Sequence, residues 1–231
     1  MPIRGAFCIF DLNLGLTFLS TVEPTDFFEI EARRCGYQLI GGLDEAGRGP
    51  LAGPVVAAIV ILPRRFVLPG LNDSKQVTEV GRERLYHAIV RQAVATGVGL
   101  ATEREIETLN ILQATRQAMC RAVGALTVLP DFLLLDAVSL PSLPVPQRPI
   151  IKGDGFSVSI AAASILAKVT RDRLMREYHR RYPEYNFGAH KGYGTPEHLR
   201  LLTRYGPCTA HRQTFRPVAE AEEVDQWEMF E

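Results

Sequence analysis

Gly41-Gly42-Leu43-Asp44-Glu45-Ala46-Gly47-Arg48-Gly49-Pro50-Leu51-Ala52-Gly53-Pro54 stands between two apolar runs, Leu39-Ile40 before it and Val55 to Leu62 after it. Its glycines and prolines interrupt regular structure, so the pattern predicts a strand, a tight connection and a second strand. Asp44 and Glu45 then fall at the end of the first strand. Two adjacent anions there are costly unless a cation or a reaction uses them.

Outward from this stretch, the chain alternates helices and strands. Thr25 to Cys35 predicts a short helix, with Phe27, Phe28, Ile30 and Ala32 on its apolar side and Gly36 as its stop. Downstream, Pro63 to Gly70 is loop and Leu71-Asn72-Asp73-Ser74-Lys75 a polar turn. Thr78 can cap a helix over Glu79 to Ala95, striped by Leu85, Ile89 and Val90. Gly97 to Thr102 reads as a strand and Ile111 to Leu126 as a helix ended by Pro130. Phe132-Leu133-Leu134-Leu135 predicts a buried strand with Asp136 at its tip.

Ser139 to Pro149 contains four prolines and is expected to be loop. Ile150-Ile151-Lys152 follows as a short strand, with Asp154 just beyond it. Phe156 to Arg180 is the longest helix pattern, and Ala161-Ala162-Ala163-Ser164 suits close packing on a sheet. Pro183 stops it. Tyr185 to Thr195 is loop-like, and Pro196 to Tyr205 a short helix. Strands and helices in mixed order predict an α/β fold with one sheet.

The 231 residues are 46% hydrophobic and 23% charged, which suits a globular chain with a sizeable core. Net charge is zero, but unevenly spread. Lys152 to Arg216 holds twelve Lys and Arg against five acids, whereas Pro217 to Glu231 holds six acids and no base. A neutral total therefore conceals a basic region suited to nucleic acid or to a solvated helix face. Cys8, Cys35, Cys120 and Cys208 form no CxxC pair, which disfavours zinc and a disulfide framework and fits a reducing cytoplasm. No apolar stretch is long enough to span a bilayer. The apolar run Gly5 to Ser20 is broken by Asp11 and Asn13, and we expect an extension there, not a signal peptide.

Three strand-like runs thus lead to acids: Asp44 with Glu45, Asp136, and Asp154. If those strands are neighbours, four carboxylates converge. Such a cluster repels itself unless protonated or bridged by a cation. All-oxygen donors without His or Cys favour Mg2+ or Mn2+. Two such ions can activate water and stabilise the leaving oxygen in phosphodiester cleavage. Spacing alone leaves open the alternative that these are unrelated surface acids.

Gly42 to Val56 closely resembles the opening motif of bacterial ribonuclease HII. Four later blocks are similar to that family in order: Leu71-Asn72-Asp73-Ser74-Lys75, then Lys152-Gly153-Asp154 with Ile160 to Asp172, then His190-Lys191-Gly192-Tyr193-Gly194-Thr195, and Gly206-Pro207-Cys208-Thr209-Ala210-His211-Arg212. The resemblance covers roughly Tyr37 to Val218. It implies a ribonuclease H-like mixed sheet flanked by helices, with a small helical C-terminal part. On that basis residues 1–36 are an extension with a short helix, 37–218 the catalytic domain, and 219–231 an acidic tail in which Trp227, Met229 and Phe230 could dock.

The resemblance also implies roles. Asp44, Glu45, Asp136 and Asp154 would hold Mn2+ or Mg2+, although Ala137 stands where the family often has Gly after the third acid. Asp131 begins its strand and would lie at the wrong end. Gly47, Arg48 and Gly49 match the segment that contacts a ribose 2′-hydroxyl through its backbone. Glycines there let peptide groups approach the sugar. Tyr193 matches the tyrosine that stacks on the next sugar. Lys75, Lys168, Arg171 and Lys191 are candidate phosphate contacts. Ser164 reads as a packing residue, Asn72 and Ser74 as helix-capping residues, and His190 and His211 as outside any metal pair. The implied substrates are RNA/DNA hybrids and duplex DNA with embedded ribonucleotides, cleaved 5′ of the ribonucleotide by a monomer. Two alternatives stay open: the sister enzyme ribonuclease HIII, which carries a substantial N-terminal domain, and a duplex-binding module without catalysis.

Overall fold

A computed structural model of the chain describes residues 23–221. The apolar run expected as an extension and the docking residues of the acidic tail lie outside the described residues. Five strands form one sheet: β1 (Ile40–Ala46), β2 (Val55–Ile61), β3 (Ala95–Ala101), β4 (Phe132–Asp136) and β5 (Gln147–Ile150), in the order β3-β2-β1-β4-β5. β1 is antiparallel to β2 and parallel to β4, so the sheet is mixed, as expected. Seven helices accompany it: α1 (Phe27–Arg34), α2 (Glu79–Gln92), α3 (Glu103–Leu109), α4 (Ile111–Gly124), α5 (Val158–Arg181), α6 (Phe187–His190) and α7 (Pro196–Tyr205). The last two form a small helical C-terminal part, and residues 216–221 are helical as well.

Strand alternation divides the core in two. On one face Leu43, Val55, Ala57 and Ile59 pack with Ala114, Ala118, Met119 and Ala122 of α4. On the other, Ala58 and Val60 pack with Leu85 and Ile89 of α2 and with Ala161, Ala162 and Ile165 of α5. The small residues of α5 bring its backbone onto β1. A Cβ on Gly42 would stand 2.2 Å from the Ser159 carbonyl carbon, so only glycine fits beneath the start of this helix.

Four elements depart from the sequence expectations, one of them the short α6 inside the Tyr185 to Thr195 segment expected as loop. The strand expected at Gly97 starts at Ala95, so α2 ends at Gln92. The unexpected α3 is set by a capping box, in which the Thr102 hydroxyl accepts from the Glu105 N–H and the Glu105 carboxylate accepts from the Thr102 N–H. The proline-rich loop yields β5 from Gln147, and Ile151-Lys152 is turn, not strand. β5 tolerates Pro149 because it is an edge strand, where a missing N–H leaves no neighbour unpaired.

Candidate active site

The parallel pairing of β1 with β4 sets Leu43 opposite Leu135, so Asp44 and Asp136, the next residue on each strand, stand side by side. Beyond β5 the chain turns through a short 3-10 segment, Gly153–Gly155. The Gly153 N–H donates to an Asp136 carboxylate oxygen at 2.8 Å, which folds Asp154 back over the sheet ends. Asp44, Asp136 and Asp154 each offer a carboxylate oxygen, and these atoms lie within 4.8 Å of one another. Neighbouring strand ends explain the convergence that spacing alone left open.

All four acids titrate above their ordinary range. Asp44 is only 4% exposed, and burial raises it most, with repulsion from Glu45, Asp136 and Asp154 adding to it. Burial likewise raises Asp136 and Asp154, and Asp73 adds repulsion at both. Lys75 opposes this with an Nζ contact to Asp154 at 3.4 Å and to Asp73 at 3.7 Å. Asp73 is thus a fifth acid beside the cluster. Its signal was its place in the Leu71 to Lys75 block. Three converging carboxylates, Asp44 and Asp154 buried and Asp136 half-buried, offer oxygen-only donors that suit a hard divalent cation, which would relieve the repulsion.

Glu45 lies outside the three-carboxylate group. Adjacent residues of a strand point to opposite faces. Its Oε1 takes a 3.2 Å contact from Arg48, while its buried Oε2 has no partner among the described residues. Burial raises it first, Arg48 lowers it, and Asp136 raises it again, so it borders the cluster electrostatically. An orphaned buried oxygen beside Asp136 fits a ligand to the same cation. Asp131 serves elsewhere: its carboxylate accepts from the Gln38 and Leu39 N–H groups.

Ala137, the departure from the family pattern, has φ 55°, a left-handed conformation that glycine adopts freely. Its N–H donates to the Ile150 carbonyl and so keeps β4 joined to the turn that carries Asp154.

Gly47 has φ 100°, and Arg48 and Gly49 are exposed. A Cβ on Gly47 would stand 2.1 Å from Nε of buried Arg171, so glycine is required there twice over. A Cβ on Gly49 would lie 4.0 Å from Tyr193 Cε1, which sets the half-exposed tyrosine beside the Gly-Arg-Gly segment. Lys168 Nζ and the Arg171 guanidinium each lie 5.9 Å from the Tyr193 ring centre.

The basic candidates separate. Lys75 reaches the acids. Lys168 is paired with Asp172 at 2.7 Å, near Tyr193. Lys191 donates to the Gly188 carbonyl. Arg171 is fully buried and donates to the carbonyls of Pro54, Lys191 and Ala52, which removes it from phosphate contact. Ser164 is buried and donates to Ser74 at 2.8 Å, a packing role that ties α5 to the polar turn.

Two further buried groups adjoin the site without a local sequence signal. Arg212 is completely buried and bonded to backbone carbonyls. His198 joins His190 and His211 in a buried stack and forms no metal pair. Its Nδ1 faces the Tyr193 carbonyl at 2.9 Å and its Nε2 faces His211 Nε2 at 3.1 Å. Arg212 stands in loop-like sequence without periodicity, so only its place in the last matched block pointed to it, and His198 stands on the short helix α7 outside every matched block.

The sequence model of a family described as Ribonuclease HII matches residues 41–218. A ribonuclease HII from Desulfitobacterium hafniense is 60% identical over 185 residues, covering 80% of this chain and 71% of the relative. One from Caldanaerobacter subterraneus subsp. tengcongensis is 51% identical over 197 residues, covering 85% and 82%. Among solved structures, ribonuclease H2 from Pyrococcus horikoshii OT3 superposes with a TM-score of 0.70 at 26% identity, covering 82% of this chain and 99% of that one. A Bst ribonuclease HIII solved with Mn2+ shares the fold at a TM-score of 0.62 and 17% identity, covering 82% and 70%.

Proposed function

The chain belongs to the ribonuclease HII family, and from that premise we propose that it hydrolyses the RNA strand of RNA/DNA hybrids and incises duplex DNA on the 5′ side of an embedded ribonucleotide, leaving 3′-hydroxyl and 5′-phosphate ends. The observation that carries this reading is the group of Asp44, Asp136 and Asp154, with oxygens within 4.8 Å of one another. Clustered anions facing a phosphodiester serve no pure binding module.

Asp44, Asp136 and Asp154, with Glu45 at the border, would hold two Mg2+ or Mn2+ ions. Bound there, such ions supply an activated water and stabilisation of the leaving 3′ oxygen. The chain's own residues do the rest. The exposed Arg48-Gly49 backbone would read the ribose 2′-hydroxyl, and Tyr193 would stack on the following sugar. Lys75, Lys168 and Lys191 would meet phosphates, Lys168 and Lys191 by exchanging internal partners for the substrate. Reading the sugar and placing the phosphate with one rigid segment couples specificity to rate. We place this activity in the cytoplasm, in a monomer. No helix among the described residues is long and apolar enough to cross a membrane.

One assay tests the reading. Duplex DNA with a single ribonucleotide is incubated with Mg2+ or Mn2+, and then with EDTA. Cleavage 5′ of the ribonucleotide, lost in EDTA, is expected; binding without cleavage in either metal would refute it.

A further inference from the structure

Arg212 sits behind the Gly-Arg-Gly segment and makes four donations, to the carbonyls of Gly47, Arg48 and Gly53. Its Nη2 donates to the Gly47 carbonyl at 2.5 Å and to the Gly53 carbonyl at 2.7 Å. Nη1 donates to the Arg48 carbonyl at 3.0 Å and Nε to the Gly53 carbonyl at 2.9 Å. The residue is 0% exposed. Burial pushes its pKa down to about 9 and neighbouring Arg171 adds to this, while Glu103 opposes it, so it stays protonated at neutral pH. A buried cation without a direct carboxylate partner is an expensive choice unless it performs a task a neutral side chain cannot.

The peptide unit defines that task. In a trans peptide the C=O of one residue and the N–H of the next point in opposite directions within one plane. Every peptide bond of the described residues is trans. Fixing the Gly47 carbonyl therefore aims the Arg48 N–H away from the buried guanidinium, and fixing the Arg48 carbonyl does the same for the Gly49 N–H. Both residues are exposed, and neither N–H donates to an acceptor among the described residues. Two parallel donors are thus presented outward beside Tyr193. The planar guanidinium fork holds several carbonyls at once, which an ammonium point charge does not.

The base from which Arg212 acts is itself fixed. Its own N–H donates to the Leu51 carbonyl at 2.9 Å, and the Gly53 N–H donates to the Ala210 carbonyl at 2.9 Å. The preceding His211 accepts from the Cys208 N–H through Nδ1 at 3.0 Å, which leaves its Nε2–H to donate to His198. His198 in turn donates from Nδ1 to the Tyr193 carbonyl. A continuous set of hydrogen bonds links the arginine's segment to the tyrosine.

We propose that Arg212 is the positioning residue of the sugar reader: by clamping the Gly47 and Arg48 carbonyls it orients the Arg48 and Gly49 N–H groups toward a ribose 2′-hydroxyl, and so sets discrimination between ribonucleotide and deoxyribonucleotide. The inference rests on the ribose-reading role assigned above to the Gly-Arg-Gly segment.

The test is binding without turnover. Fluorescence anisotropy in EDTA compares a DNA duplex containing one ribonucleotide with the same duplex made wholly of DNA, for wild type and Arg212→Lys. Wild type favours the ribonucleotide duplex. In Arg212→Lys that preference falls about tenfold or to unity, while affinity for all-DNA duplex stays within about twofold, the pattern expected when one oriented contact is lost. A merely structural role would weaken both duplexes together. A folded Arg212→Lys protein with the wild-type preference overturns the proposal. A wild type with no preference removes the ribose-reading premise, which separates that failure from this one. Should the variant not fold, NMR of the wild type decides: the Arg212 Nε–H resonance shifts together with the Arg48 and Gly49 amides on adding the ribonucleotide duplex, and not with all-DNA duplex. An Arg212 resonance that stays unmoved while those amides shift overturns the proposal.

Discussion

At the scale of the residue, Asp44 shows what the cluster costs and what it enables. A carboxylate held above its ordinary value of 3.8 makes its full contribution to stability below that value, and the contribution is lost progressively as pH rises from there through the raised folded-state pKa. At neutral pH without metal, Asp44 therefore works against the fold. Asp44→Asn keeps an oxygen for the Glu45 N–H, now 2.7 Å away, and removes the charge. We expect the metal-free variant to melt a few degrees above wild type at pH 7, and cleavage to fall by about 10³-fold or more with substrate binding kept. Mn2+ should raise the wild-type Tm and leave the variant's nearly unchanged; a variant that cleaves at the wild-type rate would sink the metal assignment. Tyr193→Ala should slow incision at a single embedded ribonucleotide by about tenfold to a hundredfold. Wild-type cleavage by that variant would remove Tyr193 from the sugar contact. Ala137 offers a converse case. Its φ of 55° costs an L-residue about 1–2 kcal/mol, partly offset by the flexibility that glycine adds to the unfolded chain. Ala137→Gly should be neutral to stabilising by up to about 1 kcal/mol in urea unfolding. A loss of stability would show that the Ala methyl packs usefully.

At the scale of the element, α1 and α5 form a unit that steadies Asp154. The buried Glu29 carboxylate of α1 accepts from the Ser157 hydroxyl at 2.6 Å, the Ser159 N–H at 3.0 Å and the Ser159 hydroxyl at 2.6 Å, at the first turn of α5. An anion at a helix N-terminus is favoured by the unpaired N–H groups and the helix dipole. Glu29→Ala should cost about 3 kcal/mol and lower Tm by roughly 6–12 °C. Differential scanning calorimetry measures this, and a shift under about 2 °C would mean that water replaces the carboxylate. Element types were largely legible: the runs at Phe132 and Val55, the Thr78 cap and the alanine stretch of α5 carry local signals. Strand order was not, because the pairing of Leu43 with Leu135 lies in no local pattern. The convergence of Asp44, Asp136 and Asp154 was therefore an expectation from resemblance that only the sheet could display. The capping box at Thr102 and Glu105 was present in the sequence but obscured by the lack of an apolar stripe, and β5 was hidden by its prolines. Arg212 was obscure for another reason: its partners are carbonyl oxygens, which every residue possesses.

At the scale of the whole molecule, two buried sets of titratable groups pull stability in opposite directions as pH falls. Acid relieves the carboxylate cluster, whose pKa values are raised. It penalises the histidine stack, because burial lowers His198 and His211 to about 4. The stack is bonded in its neutral form, with His190 facing the Tyr185 carbonyl and the Gly192 N–H, and Tyr185, Phe187 and Cys208 surrounding His211. Protonating either partner of the His198–His211 bond would set two N–H groups against each other. The unfolded chain binds these protons near 6.5 and the folded chain only near 4, so between those values the unfolded state holds more protons and stability rises with pH. The histidine contribution is complete above 6.5 and is lost progressively as pH falls toward 4. Saturating Mn2+ or Mg2+ at pH 6.5 and above would quiet the acidic cluster, whereas its effect in EDTA persists. Urea unfolding in EDTA from pH 7 to 4.5, on wild type and on His211→Asn, isolates the histidines because the carboxylate cluster is common to both. Asn can retain an acceptor for the Cys208 N–H and carries no titrating ring. The variant should be less stable at pH 7 and show a shallower loss of stability as pH falls, by about one proton's worth of slope, roughly 1.4 kcal/mol per pH unit in mid-window. Equal slopes in the two proteins would mean that the stack accepts protons in place, and that the bridge from His211 to the Tyr193 carbonyl is not a neutral hydrogen-bonded chain.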